Sequence, residues 1–238
     1  MLVVIASGKG GVGKSSPTIA LGAALRELGR DPLLLDLDPG ADLTWSLGFD
    51  AGDGAREVID GGRTATDATI ESAEGLRLVA GGPSLVGLEA SPVAQLADRL
   101  RSIAGAGLVI ADTAPGFASV LTRAAIVAAD VVIVPFIPEP NAERRARHIL
   151  DVAGALGVEP TILALAVMVE PRRSLTGAIL DQAREGGLDP IAEVPRSVVV
   201  PESANVGRSV LNYAPRSPVA VAYREAAKAL TEALPVQG

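Results

Sequence analysis

The sequence predicts an α/β fold: a single doubly wound, mostly parallel sheet with helices on both faces. Three observations carry that expectation. Short apolar runs recur along the chain and alternate with helix-length segments. The first run leads at once into a glycine-rich turn and then into residues that open a helix. Two later runs end in aspartate, at the carboxyl edge of their strands, where ligands bind in sheets of this kind. With 238 residues and 48% hydrophobic content, the chain is long enough for one sizeable core, so residues 1–238 are read as one domain.

Leu2-Val3-Val4-Ile5-Ala6 is uninterrupted and β-branched, as a strand buried on both faces should be. Gly8-Lys9-Gly10-Gly11-Val12-Gly13-Lys14-Ser15-Ser16 follows directly. Its glycines let successive backbone N–H groups turn toward one point, and Lys14 and Ser15 open a helix whose N-terminus favours negative charge. The spacing Gly8-x-x-x-x-Gly13-Lys14-Ser15 is that of a phosphate-binding P-loop: amides around the oxygens, an ammonium on the β/γ phosphates, a hydroxyl for Mg²⁺. Gly8, Gly10 and Gly13 also satisfy the dinucleotide pattern G-x-G-x-x-G, but that pattern leaves Lys14 and Ser15 unexplained. Lys9 stands five positions before Lys14, where two like charges crowd each other unless a polyphosphate neutralises both.

Residues 16–29 read as the first helix, with Ile19, Leu21, Ala24, Leu25 and Leu28 able to face the sheet and Gly29 closing it. Pro17 falls near the first turn, where a missing N–H is tolerated. Pro32 to Asp36 is the second buried strand, and Asp36-Leu37-Asp38-Pro39 follows at its edge. Carboxylates two apart on an extended chain point to one side, and Pro39 biases Asp38 toward that geometry. A plain turn before proline is the other reading of this pair. Trp45 reads as an anchor for residues 40–44.

A short helix is expected over 55–59, a strand and turn over 76–82, and a helix over 91–103. Leu108 to Asp112 is a third apolar strand ending in Asp112, the position that holds Mg²⁺ through water in P-loop enzymes. A helix over 124–129, a strand over 130–135, a helix over 141–156 and a strand over 161–169 follow. The 141–156 helix carries Arg144, Arg145 and Arg147, a run read as a solvated face, and His148, read as solvated or packed. A short strand over 191–194 and a closing helix over 217–234 complete the pattern.

Composition narrows the chemistry. Cysteine is absent, which excludes disulfides, thiolate nucleophiles and iron–sulfur sites, and one histidine makes a Ser-His-Asp triad improbable. Of 21 basic residues only three are Lys, and two of those are Lys9 and Lys14. The net charge of −7 argues against a broadly basic nucleic-acid surface. No signal peptide or bilayer-length apolar run is evident, so the cytoplasm is the expected compartment.

The Lys9-to-Ser16 run resembles the deviant Walker A motif of the ParA/MinD ATPases, and the rest of the chain is closest in pattern to ParA/Soj partition ATPases. Asp36-x-Asp38-Pro39 resembles that family's D-x-D-P motif, and Asp112-Thr113-Ala114-Pro115 its D-x-P-P, with Ala114 in place of the first proline. Phe136 to Pro140 resembles the family loop beyond the next strand. The resemblance implies a Mg²⁺-dependent ATPase that cycles between a monomer and an ATP-sandwiched homodimer and acts in chromosome or plasmid partition. Gly8, Lys9, Gly10, Gly11, Val12, Gly13, Lys14, Ser15 and Ser16 would then bind the nucleotide. Ser15, Asp36 and Asp112 would serve the metal. Asp38 would position the attacking water, and Lys9 would cross to the partner's nucleotide.

Pro195-Arg196 resembles the family's I-P-R-N-V-R, which together with Met168 implies contacts to the adenine end, although Val199 replaces the second Arg. Glu170 to Ser174 resembles a segment whose Arg contributes to DNA binding, which marks Arg172 and Arg173 for non-specific duplex DNA and a place on the nucleoid. The chain offers no evident cis arginine for the γ-phosphate, so turnover should be slow and a ParB-like partner should stimulate it. The closing helix lacks the basic amphipathic tail of MinD-type members, so no membrane partner is expected. Two rivals stay open: a positioning ATPase for division sites or other cargo, and an ATP-dependent metabolic ligase of the same fold.

Overall fold

A computed structural model describes residues 1–105, 107–170 and 174–234. In chain order the elements are β1 (Leu2–Ile5), α1 (Ser15–Glu27), β2 (Leu33–Leu37), α2 (Asp42–Ser46), α3 (Gly54–Asp60) and α4 (Ala65–Ala68). Then come β3 (Thr69–Glu71), β4 (Arg77–Val79), a 3₁₀ segment (Pro83–Leu88), α5 (Val93–Ala104), β5 (Val109–Thr113) and α6 (Val120–Ala128). The remainder comprises β6 (Val131–Phe136), α7 (Ala142–Ala155), β7 (Thr161–Val169), α8 (Ser174–Glu185), β8 (Pro190–Pro195), α9 (Val199–Asn205), α10 (Val210–Tyr213) and α11 (Pro218–Ala233).

The strands form one eight-stranded sheet in the order β3-β4-β2-β5-β1-β6-β7-β8, parallel except for the β3–β4 pair. The parallel strands are buried because both faces are covered, which is why they read as unbroken apolar runs. Leu2, Val4 and Ala6 point into one core with α3, α5, α6 and α7. Val3 and Ile5 point into the other, with α1 and α11. Helix α1 lies close on the sheet: a side chain at Gly22 would come 2.8 Å from Leu34 Cδ2.

Chain direction positions the site. From β1 the chain moves to β2, past the slot that β5 fills later, and β6 returns on the opposite side of β1. The crevice at the carboxyl ends of β1, β2 and β5 is therefore a topological switch point, where ligands bind in such sheets.

Two expectations need correction. Residues 40–44, which the resemblance implies to be a mobile switch segment, run into the short helix Asp42–Ser46, with Leu43 and Thr44 fully buried. Trp45 does not anchor it, being 53% exposed; Leu43 and Thr44 do. Helix α6 starts at Val120, earlier than apolar periodicity suggests, because Ser119 caps it by accepting a hydrogen bond from Thr122 N. The antiparallel β3, the 3₁₀ segment, α8, α9 and α10 carry too short or too mixed a pattern to be read from periodicity.

Candidate active site

The glycine-rich turn joins β1 to α1 at the switch point. Gly11 and Gly13 take φ of +76° and +69°, values that glycine adopts without strain. A side chain at Gly13 would also meet Met168 Cε at 3.4 Å, so the turn packs directly against Met168. Helix α1 begins with no side-chain cap and no acidic residue in its first turn, which leaves its N-terminus to attract an anion. Pro17 fits here because the first-turn N–H groups have no intrahelical partner in any case.

Asp36 and Asp112 are register partners on neighbouring strands β2 and β5. Both are buried. Ser15 Oγ donates to Asp112 Oδ2 at 2.6 Å, whereas Asp112 Oδ1 is buried with no hydrogen-bond partner among the described residues. Burial, reinforced by the facing Asp36 carboxylate, pushes the Asp112 carboxyl up to about 8. Asp36 is differently placed. Its Oδ1 accepts from Asp38 N at 3.0 Å, and its Oδ2 accepts from Thr44 N at 3.0 Å and Thr44 Oγ1 at 2.6 Å. Burial still raises its carboxyl to about 6 despite those donors. Asp38, 9% exposed, accepts from Gly40 N at 2.8 Å and has its carboxyl raised by burial.

The Lys14 ammonium acts on Asp38 and on Asp112, holding each carboxyl lower than burial alone would set it. Ser15, Lys14, Asp36, Asp38 and Asp112 thus converge on one edge of the sheet. Among the described residues no three His, Cys, Asp or Glu side chains are placed to hold a metal ion by themselves. A divalent cation here would need phosphate oxygens as well. The orphaned Asp112 Oδ1 and the Ser15 hydroxyl fit that ion.

Lys9 is exposed in the turn, its Nζ 3.0 Å from Glu139 Oε2 in the loop after β6. Asp112 leads into a loop that packs on the turn: Gly116 N donates to Ser7 O at 3.0 Å, and a side chain at Gly10 would lie 3.7 Å from Pro115 Cβ. His148 on α7 meets the Phe117 ring of this loop edge-on, with centroids 5.4 Å apart, which places it as a packing residue.

On the other side of the turn a cleft of about 320 Å³ is lined by Val12, Gly13, Met168, Pro195, Arg196 and Tyr223. Met168 has φ +53° at an irregularity in the β7–β8 pairing, and the bend carries its side chain against Gly13. Met168, Pro195 and Arg196 are therefore brought together beside the turn. Arg196 is largely exposed and pairs with Glu170 at 2.8 Å. Arg172 and Arg173 lie outside the described residues, and so does the Arg145 side chain. Arg147 Nη1 donates to Gly186 O at 3.0 Å, and Val199 opens α9. The sequence reading missed Thr44 as the partner of Asp36 and Glu139 as the partner of Lys9. No periodicity marks either, since each depends on contacts between distant elements.

Residues 1–156 match the family described as AAA domain. Over 237 residues the chain is 32% identical to the chromosome-partitioning ATPase Soj of Thermus thermophilus, covering 95% of this chain and 93% of that protein. A Mycobacterium smegmatis structure solved as cobyrinic acid a,c-diamide synthase with bound ADP and magnesium is 28% identical, with a TM-score of 0.78. That match covers 97% of this chain and 94% of the other. The MinC:MinD cell division protein complex of Aquifex aeolicus shares the fold, with a TM-score of 0.82 at 20% identity, covering 100% of this chain and 98% of that one.

Proposed function

We propose, from the premise that this chain belongs to the ParA/Soj/MinD-type P-loop ATPases, that it hydrolyses ATP in a Mg²⁺-dependent cycle of homodimer formation and release. Its use would be partition of a chromosome or plasmid; the Soj relative is a chromosome-partitioning ATPase. The observation that carries the reading is the convergence of Lys14, Ser15, Asp38 and the orphaned Asp112 Oδ1 at the carboxyl edge of β1, β2 and β5.

In this reading the amides of residues 10–16 and the Lys14 ammonium hold the phosphates. Val12, Met168, Pro195 and Arg196 border the base in their cleft. Ser15, through its hydroxyl oxygen, and the buried Asp36 and Asp112 carboxylates would hold Mg²⁺ beside the phosphates. Mg²⁺, when bound, neutralises charge on the β- and γ-phosphate oxygens. Asp38 orients the attacking water. Lys9 leaves Glu139 and stabilises the transferred charge on the partner's nucleotide.

Arg172 and Arg173 would meet duplex DNA in the dimer. A ParB-like protein would stimulate turnover, and the protein would work in the cytoplasm on the nucleoid. Among the described residues no helix is long and apolar enough to cross a membrane. The amide-forming name of the Mycobacterium smegmatis relative favours one second reading, an ATP-dependent metabolic ligase. Phosphate release by the purified chain separates the two. Slow release with ATP and Mg²⁺ alone, rising with DNA and a ParB-like protein, supports partition; fast unassisted release supports the ligase.

A further inference from the structure

The chain between β4 and α5 is tied at both ends to the segments that flank the proposed γ-phosphate position. At its start, Gly81 N donates to Thr44 Oγ1 at 3.1 Å, and Thr44 Oγ1 donates in turn to Asp36 Oδ2. Gly52 N and Ala55 N donate to Gly81 O and Ala80 O, both at 2.9 Å. There is no slack at this end: a side chain at Gly81 would lie 2.7 Å from Asp36, and one at Gly82 would lie 2.6 Å from Gly52 O. The 3₁₀ segment Pro83–Leu88 then runs on with Leu85 and Leu88 buried in the core, and Arg56 Nη1 holds Ser84 O at 3.0 Å.

At the far end stands Glu89. Its Oε1 accepts from Ser119 Oγ at 2.6 Å and its Oε2 from Val120 N at 2.9 Å. Those two residues close the loop that begins after Asp112 and packs on the glycine-rich turn through Gly116 and Pro115. An anion at the start of α6 is favourable in itself, so a cap explains part of Glu89. A cap does not explain why the residue sits on a strut whose other end touches Thr44 and Asp36.

We propose that Glu89 is a positioning residue for the ATPase reaction: through the strut 81–89 it makes the Asp112 loop and helix α2 move as one body. The inference rests on the ATPase reading above. Without the tie, a loop that responds to nucleotide would leave α2, and with it the Asp36–Asp38 edge, behind. Trp45, the only tryptophan of the chain, is exposed on α2 next to Thr44 and reports its environment.

The experiment follows Trp45 fluorescence during titration with ATP and Mg²⁺ in the parent, Glu89→Ala, Glu89→Gln, Thr44→Val and the Thr44→Val/Glu89→Ala pair. Nucleotide binding is measured separately with a fluorescent ATP analogue, and turnover by phosphate release. In Glu89→Ala the nucleotide-induced Trp45 change should fall by at least about half. The same variant should lose about fivefold in kcat, the lower end of ordinary coupling energies, with KM little changed. Glu89→Gln keeps one acceptor and should recover part of both losses. Thr44→Val and Glu89→Ala should be non-additive in the Trp45 response, whereas independent sites add. A full Trp45 response in Glu89→Ala, or additive losses in the pair, would overturn the strut and leave Glu89 as a helix cap. Absence of nucleotide binding in the parent would instead overturn the ATPase reading and the inference with it.

Discussion

Ser15 Oγ and Asp112 Oδ2 lie 2.6 Å apart across 97 residues of sequence, while the buried Oδ1 of the same carboxyl has no partner among the described residues. The bond joins the helix that opens the phosphate turn to the strand that ends beside it. Burying that carboxyl favours its protonated form, which gives the stability of the chain a pH signature.

The folded-state value of Asp112, about 8, lies above the unfolded value near ~4, so the folded chain binds this proton more tightly. The corresponding stability is fully present below about pH 4 and is lost as pH rises through about 8. Asp112→Asn should therefore stabilise the nucleotide-free chain at pH 8 by roughly 1–3 kcal/mol, with the difference vanishing toward about pH 4. Urea unfolding at three pH values measures this. A variant less stable than the parent at every pH would contradict it.

Gly81→Ala should destabilise the chain by roughly 1–3 kcal/mol, since the added carbon would meet Asp36 at 2.7 Å. At Gly154 in α7, where a side chain meets nothing within 4 Å among the described residues, the same change should be neutral or slightly stabilising. Thermal unfolding of the two variants side by side is sufficient. Equal melting temperatures would show that the strut has slack.

Lys14→Ala should abolish ATP binding, because no other lysine or arginine stands in the turn except the outward-facing Lys9. Equilibrium binding of a fluorescent ATP analogue reads this directly. Affinity within about threefold of the parent, under ~1 kcal/mol, would move the phosphate site elsewhere.

DNA binding should require the ATP-loaded dimer and weaken steeply with salt. If each protomer neutralises about three phosphates, the log–log salt slope would be about −2.7 for a monomer and about −5.4 for a dimer. Residues 120–238 carry 12 basic and 13 acidic groups against 9 and 15 in residues 1–119, so the second half opposes phosphate less. A salt titration of the parent and an Arg172→Glu/Arg173→Glu variant tests the assignment. Equal binding with ATP and ADP, or no loss in the variant, would sink it.

The turn, the two Asp-ended strands and the alternation of strand and helix were legible because each is local. Gly13-Lys14-Ser15 is one motif, and Asp36 and Asp112 each close an unbroken apolar run of strand length. Contacts between distant segments were not legible. Thr44 on Asp36, Glu139 on Lys9 and Glu89 on Ser119 are set by how loops fold over the sheet edge. Trp45 shows the same limit from the other side: an aromatic residue read as an anchor is exposed, because its smaller neighbours Leu43 and Thr44 fill the available space. Met168 depends on a strand irregularity that hydropathy does not mark.

Lys9 is proposed to leave Glu139 and complete a second protomer's site, and sedimentation in the presence of ATP and Mg²⁺ reads out that role. Asp38→Ala should bind ATP without hydrolysing it and accumulate as a dimer. Adding Lys9→Ala to that background should leave nucleotide affinity nearly unchanged yet return the protein to a monomer. A Lys9→Ala/Asp38→Ala protein that still sediments as a full ATP-dependent dimer would remove Lys9 from the partner's site.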